Sequence, residues 1–275
     1  MNVLEFLNKD EIKKIFDSDS IFVIEYLLRK VLFSQPELLP EQNKHNIQIT
    51  KEFLEQWVAQ GLDWEIIGSG NYPIDVYSRV LKVGADVKFV SAKVDGDNNF
   101  TNGQSNETSL GQNFKDAGKK LDQAFVNKDF AKILQGWKNI INKKIDRPIK
   151  DYHLKIIYYF IFIRGGNSVN LAVAKVNKSK VKDLKVSKTT KTSAFISGFI
   201  DGKYGNAKVY KSKKRMELRC LPKNIEKDNL LIKWDFKDFL TNSGVDLRKL
   251  VKNKIKFNAH IKKEIDNFLK FNKFS

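Results

Sequence analysis

The order in which helical and strand-like patterns follow one another is the feature of this sequence that most constrains its fold. Apolar residues recur at helical spacing in residues 1–33 and again after Thr50, whereas short runs rich in β-branched and aromatic residues begin at Trp64. The two kinds of segment then mix without a regular βαβ alternation, and no internal repeat divides the chain. We therefore expect an α/β (α+β) domain, in which helices flank a central mixed sheet.

Helices are predicted where apolar residues recur every three or four positions. Residues 1–33 show this pattern twice, and a third helix follows Thr50, whose hydroxyl is suited to capping it, and ends at Gly61. Two more helices are predicted further along, and the apolar face of the first consists of Leu110, Phe114, Ala117, Leu121 and Phe125. The second has its apolar face within residues 130–141 and is closed by Pro148.

Strands are predicted in two parts of the chain. Three short runs come first, at residues 64–67, 74–83 and 86–94, and the polar segment 95–106 after them reads as a loop. Two hairpins are predicted later. One joins residues 154–163 to 169–176, and the other joins residues 194–200 to 203–221 through the turn pair Asp201-Gly202.

Charge is distributed unevenly along the chain. The formal net charge is +18, yet residues 1–70 hold 7 basic and 12 acidic side chains, a net of −5. Residues 175–223 hold 15 basic and 3 acidic side chains, a net of +12. A localised excess of lysine and arginine favours a polyanionic partner such as nucleic acid, because these side chains displace counterions from phosphates. A host that simply uses much lysine is the alternative explanation.

Several classes of protein are disfavoured by the composition. Cys220 is the one cysteine, so the chain cannot form an intramolecular disulfide, which suits a reducing cytoplasm. The N-terminus lacks a signal-peptide pattern, and the apolar run at residues 156–163 is too short to cross a bilayer as a helix. The three histidines form no local ligand pattern, and no glycine-rich phosphate loop is present. We expect a cytoplasmic protein without a structural zinc site.

Two acidic residues and one lysine form the candidate chemical site. Asp75 and Asp86 are placed so that a turn near residues 78–81 would bring them opposite each other on antiparallel strands. Asp86 and Lys88 are two positions apart, so they share one face of a strand while Val87 faces the core. Two carboxylates hold Mg²⁺ well, and a nearby ammonium can stabilise a reacting phosphate, so the trio suits phosphodiester hydrolysis.

These residues resemble a known family. Pro73-Ile74-Asp75 followed by Asp86-Val87-Lys88 is similar to the motif of the PD-(D/E)xK nuclease superfamily, which includes many type II restriction endonucleases. The resemblance implies a restriction-endonuclease-like mixed sheet, Mg²⁺ as cofactor and cleavage to 5′-phosphate and 3′-hydroxyl ends. It also implies a homodimer and an additional acidic residue on a preceding helix, for which Glu52 and Glu55 are candidates. Ile74 separates the proline from the aspartate, where the family motif has them adjacent.

The acidic-x-lysine pattern alone carries little information. It also occurs at Glu11, Asp183, Asp201 and Asp235, but of these sites only Asp86 follows an upstream Pro-x-Asp at suitable spacing. The alternative for the trio itself is a surface hairpin whose charges are solvated.

The resemblance and the charge pattern together predict three parts within a single nuclease domain of residues 1–275. An acidic helical part (about residues 1–50) precedes a catalytic core (about 50–175) and a basic DNA-binding part (about 176–275). The candidate DNA-binding residues combine cations for phosphates with polar groups for base edges; they are Gln104, Asn106, Lys203, Tyr204, Asn206, Lys208, Lys211, Lys213, Lys214, Arg215 and Arg219. Helix capping near residues 105–108 and a solvated strand face near residues 204–215 are the alternatives for these segments.

A type II restriction endonuclease acting on double-stranded DNA is therefore the leading prediction. A structure-specific repair nuclease of the same superfamily and a non-catalytic DNA-binding protein are the alternatives.

Overall fold

The computed structural model describes residues 2–35, 48–68, 72–103, 106–111, 121–236 and 247–271. Within them the chain forms eight α-helices, which are α1 (Lys9–Lys13), α2 (Ser18–Phe33), α3 (Lys51–Leu62), α4 (Leu121–Val126), α5 (Phe130–Tyr152), α6 (Pro222–Lys227), α7 (Leu247–Leu250) and α8 (Lys254–Phe271). It also forms twelve strands, which are β1 (Leu4–Phe6), β2 (Glu65–Ile66), β3 (Val76–Ser78), β4 (Val83–Ser91), β5 (Glu107–Gly111), β6 (Ile156–Gly165), β7 (Ser168–Val176), β8 (Lys185–Thr189), β9 (Ser193–Ser197), β10 (Gly205–Tyr210), β11 (Arg215–Cys220) and β12 (Ile232–Asp235).

Seven strands form a mixed sheet, the first sheet. Six of them follow the order β1-β7-β6-β4-β3-β2, and β12 pairs with the end of β7 that β1 leaves free. The β4–β6 pair is parallel, and the other pairs are antiparallel. This sheet confirms the expected mixed α/β architecture. The predicted hairpin of residues 154–163 and 169–176 is the β6–β7 pair, whose strands are joined through Gly166 and Asn167.

A second, wholly antiparallel sheet contains the order β5-β11-β10-β9-β8. The sequence did not predict it as a separate sheet. Its inward side chains, such as Leu110, Ala207 and Leu218, join the same core as those of one face of the first sheet. The chain therefore packs two sheets around shared apolar residues.

The two faces of the first sheet have different cover. On one face, Val87, Phe160 and Leu171 belong to a core that includes the buried residues of α1, α2 and α3. The opposite face packs against α5 and the second sheet. In β4 the side chains alternate between these faces, so that Ala85 and Val87 enter the first core while Asp86 and Lys88 lie on the other side.

Helix α5 lies in the connection between the parallel strands β4 and β6. Parallel neighbours cannot be joined by a tight turn, so such a connection must cross a face of the sheet. The buried residues Ile133, Trp137, Ile141 and Ile145 recur at helical spacing and set the buried side of the helix. This packing also brings the middle of α5 over β4, which matters for the site described below.

Three predicted helix boundaries were wrong. Phe6 belongs to strand β1 rather than to a helix, because β7 offers it an unpaired edge. Leu110 belongs to strand β5, while Phe114 and Ala117 lie outside the described residues. Pro148 lies inside α5 and is buried, so the apolar packing of the helix outweighs the hydrogen bond that proline removes.

The strand predicted over residues 203–221 is also a correction. It consists of two strands, β10 and β11, which pair with each other around a turn in which Lys214 has a φ of 47°. The predicted pairing across Asp201-Gly202 is confirmed as the antiparallel β9–β10 pair, although the connection is longer than a two-residue turn. None of the described helices is long and apolar enough to cross a membrane.

Candidate active site

The β3–β4 hairpin brings Asp75 beside Asp86. The ladder pairs Val76 with Ala85, and the amide of Asp75 donates to the carbonyl oxygen of Ala85 at 2.9 Å. Asp75 also accepts a hydrogen bond from the backbone N–H of Val87, at 2.6 Å to its Oδ2. One further step along the register places the two aspartates next to each other, as their spacing predicts.

Asp86 and Lys88 form an ion pair on one face of β4. Lys88 Nζ contacts Asp86 Oδ1, and both side chains are almost fully buried, at 4% exposure for Asp86 and 10% for Lys88. A carboxylate this deeply buried needs a charged partner, because desolvation of an isolated ion is costly.

Lys144 of α5 provides a second cation to the same carboxylate. Its Nζ donates to Asp86 Oδ2 at 2.9 Å and to the backbone carbonyl oxygen of Leu110 at 3.0 Å. Each carboxylate oxygen of Asp86 therefore accepts from a different lysine. Because Leu110 belongs to β5, the same ammonium also links the first sheet to the second.

Glu55 joins the site through Lys51, which lies one helical turn before it on α3. Lys51 Nζ lies 2.6 Å from Glu55 Oε1 and 3.4 Å from Asp75 Oδ1. Thr50 caps this helix, as predicted, by accepting from the amide of Phe53. Glu52, the other acidic candidate, is exposed and forms no ion pair with this group among the described residues.

The two aspartates have opposite pKa shifts. Burial and the neighbouring charge of Asp86 raise the pKa of Asp75 to about 7, although Lys51 and Lys88 act against this shift. Burial also acts to raise the pKa of Asp86, but Lys144 and Lys88 outweigh it and bring the value to about 2. At neutral pH the carboxylate of Asp86 is therefore charged, whereas that of Asp75 is partly protonated.

Tyr159 of β6 lies beside the ion pairs of Asp86. It pairs with Asp86 in the parallel ladder of β4 and β6, and its side chain is buried. Lys88 Nζ and Lys144 Nζ each lie 5.9 Å from the centre of its ring, within the range of a cation–π contact.

The donor set at this site suits a hard divalent cation. Among the described residues, no group of three or more histidine, cysteine, aspartate or glutamate side chains is arranged to hold a metal ion. Asp75 and Asp86 nevertheless provide two carboxylates whose repulsion a divalent cation would relieve, with water and phosphate completing its coordination. Mg²⁺ is characteristically bound through one or two carboxylates in this way. The residues present therefore fit Mg²⁺.

Several candidate DNA-binding residues share the outer face of the second sheet. Asn206, Lys208, Arg215 and Arg219 alternate with the core-facing residues of β10 and β11. Three cations of this region contact acidic residues: Lys208 lies 2.6 Å from Glu107, while Lys213 and Arg215 lie 3.0 and 2.5 Å from Glu217. Their charges are thus largely balanced within the protein.

The remaining candidates have varied surroundings. Arg219 donates to the carbonyl oxygens of Asn102 and Gly103, which ties the loop to the sheet. Lys203 and Tyr204 both contact Asp228.

Lys214 pairs with Asp122 at 3.4 Å, and both side chains are more than half exposed. Lys211 lies at the β10–β11 turn and is half-buried. Asn106 is fully buried, and Gln104 lies outside the described residues.

Sequence reasoning missed Lys51 and Lys144. A signal existed for Lys51, which is four residues before Glu55 on a predicted helix and so could be expected to pair with it. Lys144 gave no such signal, because it reaches Asp86 only through the packing of α5 over the sheet.

Comparison with protein-family models, with curated proteins and with solved structures gives no match for this chain. The fold and the geometry of the site are therefore the basis for a functional conclusion.

Proposed function

We propose that this protein is a Mg²⁺-dependent endonuclease acting on double-stranded DNA, with Asp75, Asp86 and Lys88 at its catalytic centre. The observation that carries the proposal is the pair of carboxyl groups from neighbouring strands, in which burial and like charge raise the pKa of Asp75 to about 7. Holding two like charges together costs free energy, and such arrangements are typical of functional sites.

The chemistry follows from the roles these residues suit. A bound Mg²⁺ would neutralise charge on the scissile phosphate. Asp75 and Asp86 would hold the cation, and Lys88 would hydrogen-bond the attacking water and stabilise the negative charge that develops on the phosphate. The water oxygen bonds to phosphorus and gives up a proton to solvent, the bond from phosphorus to the 3′-oxygen breaks, and that oxygen takes up a proton from solvent. The products are a 5′-phosphate and a 3′-hydroxyl.

The fold and the charge support DNA as the substrate. A mixed sheet flanked by helices is what membership of the PD-(D/E)xK superfamily would require. Glu55, the candidate for an additional acid on a preceding helix, contacts Lys51, which also contacts Asp75. The net charge of +18 favours a polyanion. We further propose a restriction-type enzyme that acts as a homodimer, because a twofold protein matches a palindromic site.

The direct test compares site variants with a matched control on plasmid DNA. We expect Asp86→Asn and Lys88→Met to abolish Mg²⁺-dependent cleavage while DNA binding, measured by fluorescence anisotropy in EDTA, is retained. Asp183→Asn is the control, because Asp183 has the same acidic-x-lysine pattern but is about half exposed and pairs only with Lys180 among the described residues. Circular dichroism and thermal unfolding show that each variant is folded.

The outcome also separates the alternatives. Discrete fragments support a restriction enzyme, whereas cleavage that depends on branches or free ends supports a structure-specific nuclease. Undiminished cleavage by a folded Asp86→Asn protein would refute the assigned site. Absence of cleavage by the wild-type protein across many DNA substrates, with binding intact, would leave a non-catalytic DNA-binding protein.

A further inference from the structure

Lys144 is the feature of the site that the proposed nuclease chemistry does not use. Its ammonium lies between Asp86 Oδ2, at 2.9 Å, and the carbonyl oxygen of Leu110, at 3.0 Å. Lys88 contacts the other oxygen of the same carboxylate. The most buried acid of the site therefore has a positive charge on each oxygen, in the region where a divalent cation would also bind.

A divalent cation bound to Asp86 would be repelled by the ammonium groups of Lys88 and Lys144. Mg²⁺ binds carboxylate oxygens at about 2.0–2.1 Å, so it would lie within a few ångströms of both lysines. Repulsion between charges this close is strong even with the moderate effective dielectric of a protein site. Binding of the metal must therefore displace at least one ammonium from the carboxylate.

The surroundings of the two lysines indicate which one is displaced. Lys144 has a second acceptor, the carbonyl oxygen of Leu110, and its side chain is 23% exposed. Lys88 is 10% exposed, and Asp86 is its one hydrogen-bond acceptor among the described residues. Lys144 can withdraw from Asp86 and keep a hydrogen bond to β5, whereas withdrawal would leave Lys88 without one.

We infer that Lys144 is a positioning residue that competes with the divalent cation for Asp86 and so sets how much cation the site requires. This inference rests on the proposed function, because it assigns Lys144 a role toward the same metal. It predicts that replacing Lys144 by an uncharged residue strengthens metal binding. Removing a residue that only supports the structure would weaken metal binding, whereas removing a competing charge strengthens it.

The test is a Mg²⁺ titration of Lys144→Met, Lys144→Gln and Lys144→Arg proteins. Thermal unfolding in EDTA and at increasing Mg²⁺ gives binding independently of activity, and plasmid cleavage gives the Mg²⁺ concentration for half-maximal rate. For the Met and Gln variants we expect the required Mg²⁺ to fall about tenfold, because a nearby unit charge is removed. Their melting temperature in EDTA should also fall, because buried Asp86 loses a partner. The Gln variant keeps a donor for Leu110 and serves if the Met variant does not fold.

Two controls isolate the charge of Lys144. Lys144→Arg keeps the positive charge and should keep a requirement close to that of the wild type. Lys143→Met removes the neighbouring, exposed lysine of α5 and should change neither Mg²⁺ dependence nor stability in EDTA.

An unchanged or higher Mg²⁺ requirement in both charge-removing variants would overturn the inference and leave the nuclease proposal standing. A lower requirement in the Arg variant would also overturn it, because charge would then not be the cause. Wild-type protein that neither cleaves DNA nor gains stability with Mg²⁺ would refute both proposals.

Discussion

Asp75 and Asp86 lie side by side in one hairpin, yet their carboxyl groups respond to the protein in opposite directions. Asp86 has an ammonium on each oxygen, whereas Asp75 has a backbone amide at 2.6 Å and a longer contact to Lys51 at 3.4 Å. Burial penalises both charges, and only Asp86 has enough compensation. The difference between them therefore comes from their partners rather than from their depth in the protein.

Replacing Asp75 by asparagine should stabilise the protein at high pH. Between the unfolded pKa near 3.8 and the folded value of about 7, the folded state keeps a proton that the unfolded state has lost, so the free energy of unfolding falls as pH rises. An asparagine at position 75 does not ionise, so this decrease in stability disappears, and its amide oxygen can still accept the hydrogen bond from the backbone N–H of Val87. We expect a gain on the order of 2 kcal/mol at pH 8 and little gain at pH 4.

Thermal or urea unfolding of both proteins at the two pH values, in EDTA, measures this difference. A stability difference that is equal at pH 4 and pH 8 would contradict the raised pKa of Asp75. The same variant should no longer be stabilised by Mg²⁺. Stability in EDTA therefore reports the cost of ionising Asp75, and stability in Mg²⁺ reports its proposed role as a metal ligand.

The sequence predicted the part of the site that local spacing controls. Asp75, Asp86 and Lys88 lie within 14 residues, and the alternation of a strand with one turn is enough to place them. Lys144 is 58 residues from Asp86, and its contact depends on which strand α5 crosses. Helical spacing from Trp137 and Ile141 places Lys144, rather than Lys143, beside the apolar face of α5, but it does not say which strand that face covers.

Elements were predictable where their own pattern decides the structure and unpredictable where a partner decides it. The β6–β7 hairpin follows from its two apolar runs and glycine turn. In contrast, Leu110 fits a helical pattern with Leu121, but its neighbours Ser109 and Gly111 pair with β11 and keep it in a strand. Long-range pairing of this kind overrides a short apolar periodicity.

Two glycines at strand starts should tolerate alanine very differently. At Gly205, a Cβ would lie 2.4 Å from the carbonyl oxygen of Arg219, a backbone atom of the paired strand β11. At Gly84, a Cβ would lie 2.6 and 2.7 Å from the terminal methyl groups of Ile74 and Leu154, which can rotate away. We expect Gly205→Ala to cost about 3 kcal/mol and Gly84→Ala about 1 kcal/mol.

Urea unfolding followed by tryptophan fluorescence measures both costs. Equal costs for the two variants would show that the β10–β11 pair can separate locally as easily as a side chain rotates.

Net charge is a property of the whole molecule, but the structure indicates which charges remain available to a partner. On the outer face of the second sheet, Lys208 is 9% exposed and lies 2.6 Å from Glu107. Lys214 is just over half exposed, and its ion pair with Asp122 is a surface pair of the kind that contributes little to stability. An exposed cation such as Lys214 can exchange its protein partner for a phosphate at a low cost in free energy.

DNA binding should therefore depend on salt in a residue-specific way. Replacing Lys214 by glutamine should reduce the slope of log affinity against log salt by about 1, because each phosphate contact contributes about 0.9. Lys208→Gln should leave the slope unchanged and instead lower the melting temperature, since Glu107 loses its buried partner. Fluorescence anisotropy on a DNA duplex in EDTA, from low to high salt, measures the slopes. If Lys208→Gln reduced the slope as much as a turn lysine does, the ammonium of Lys208 would have to leave Glu107 on binding, and the outer face of the second sheet would be the DNA interface itself.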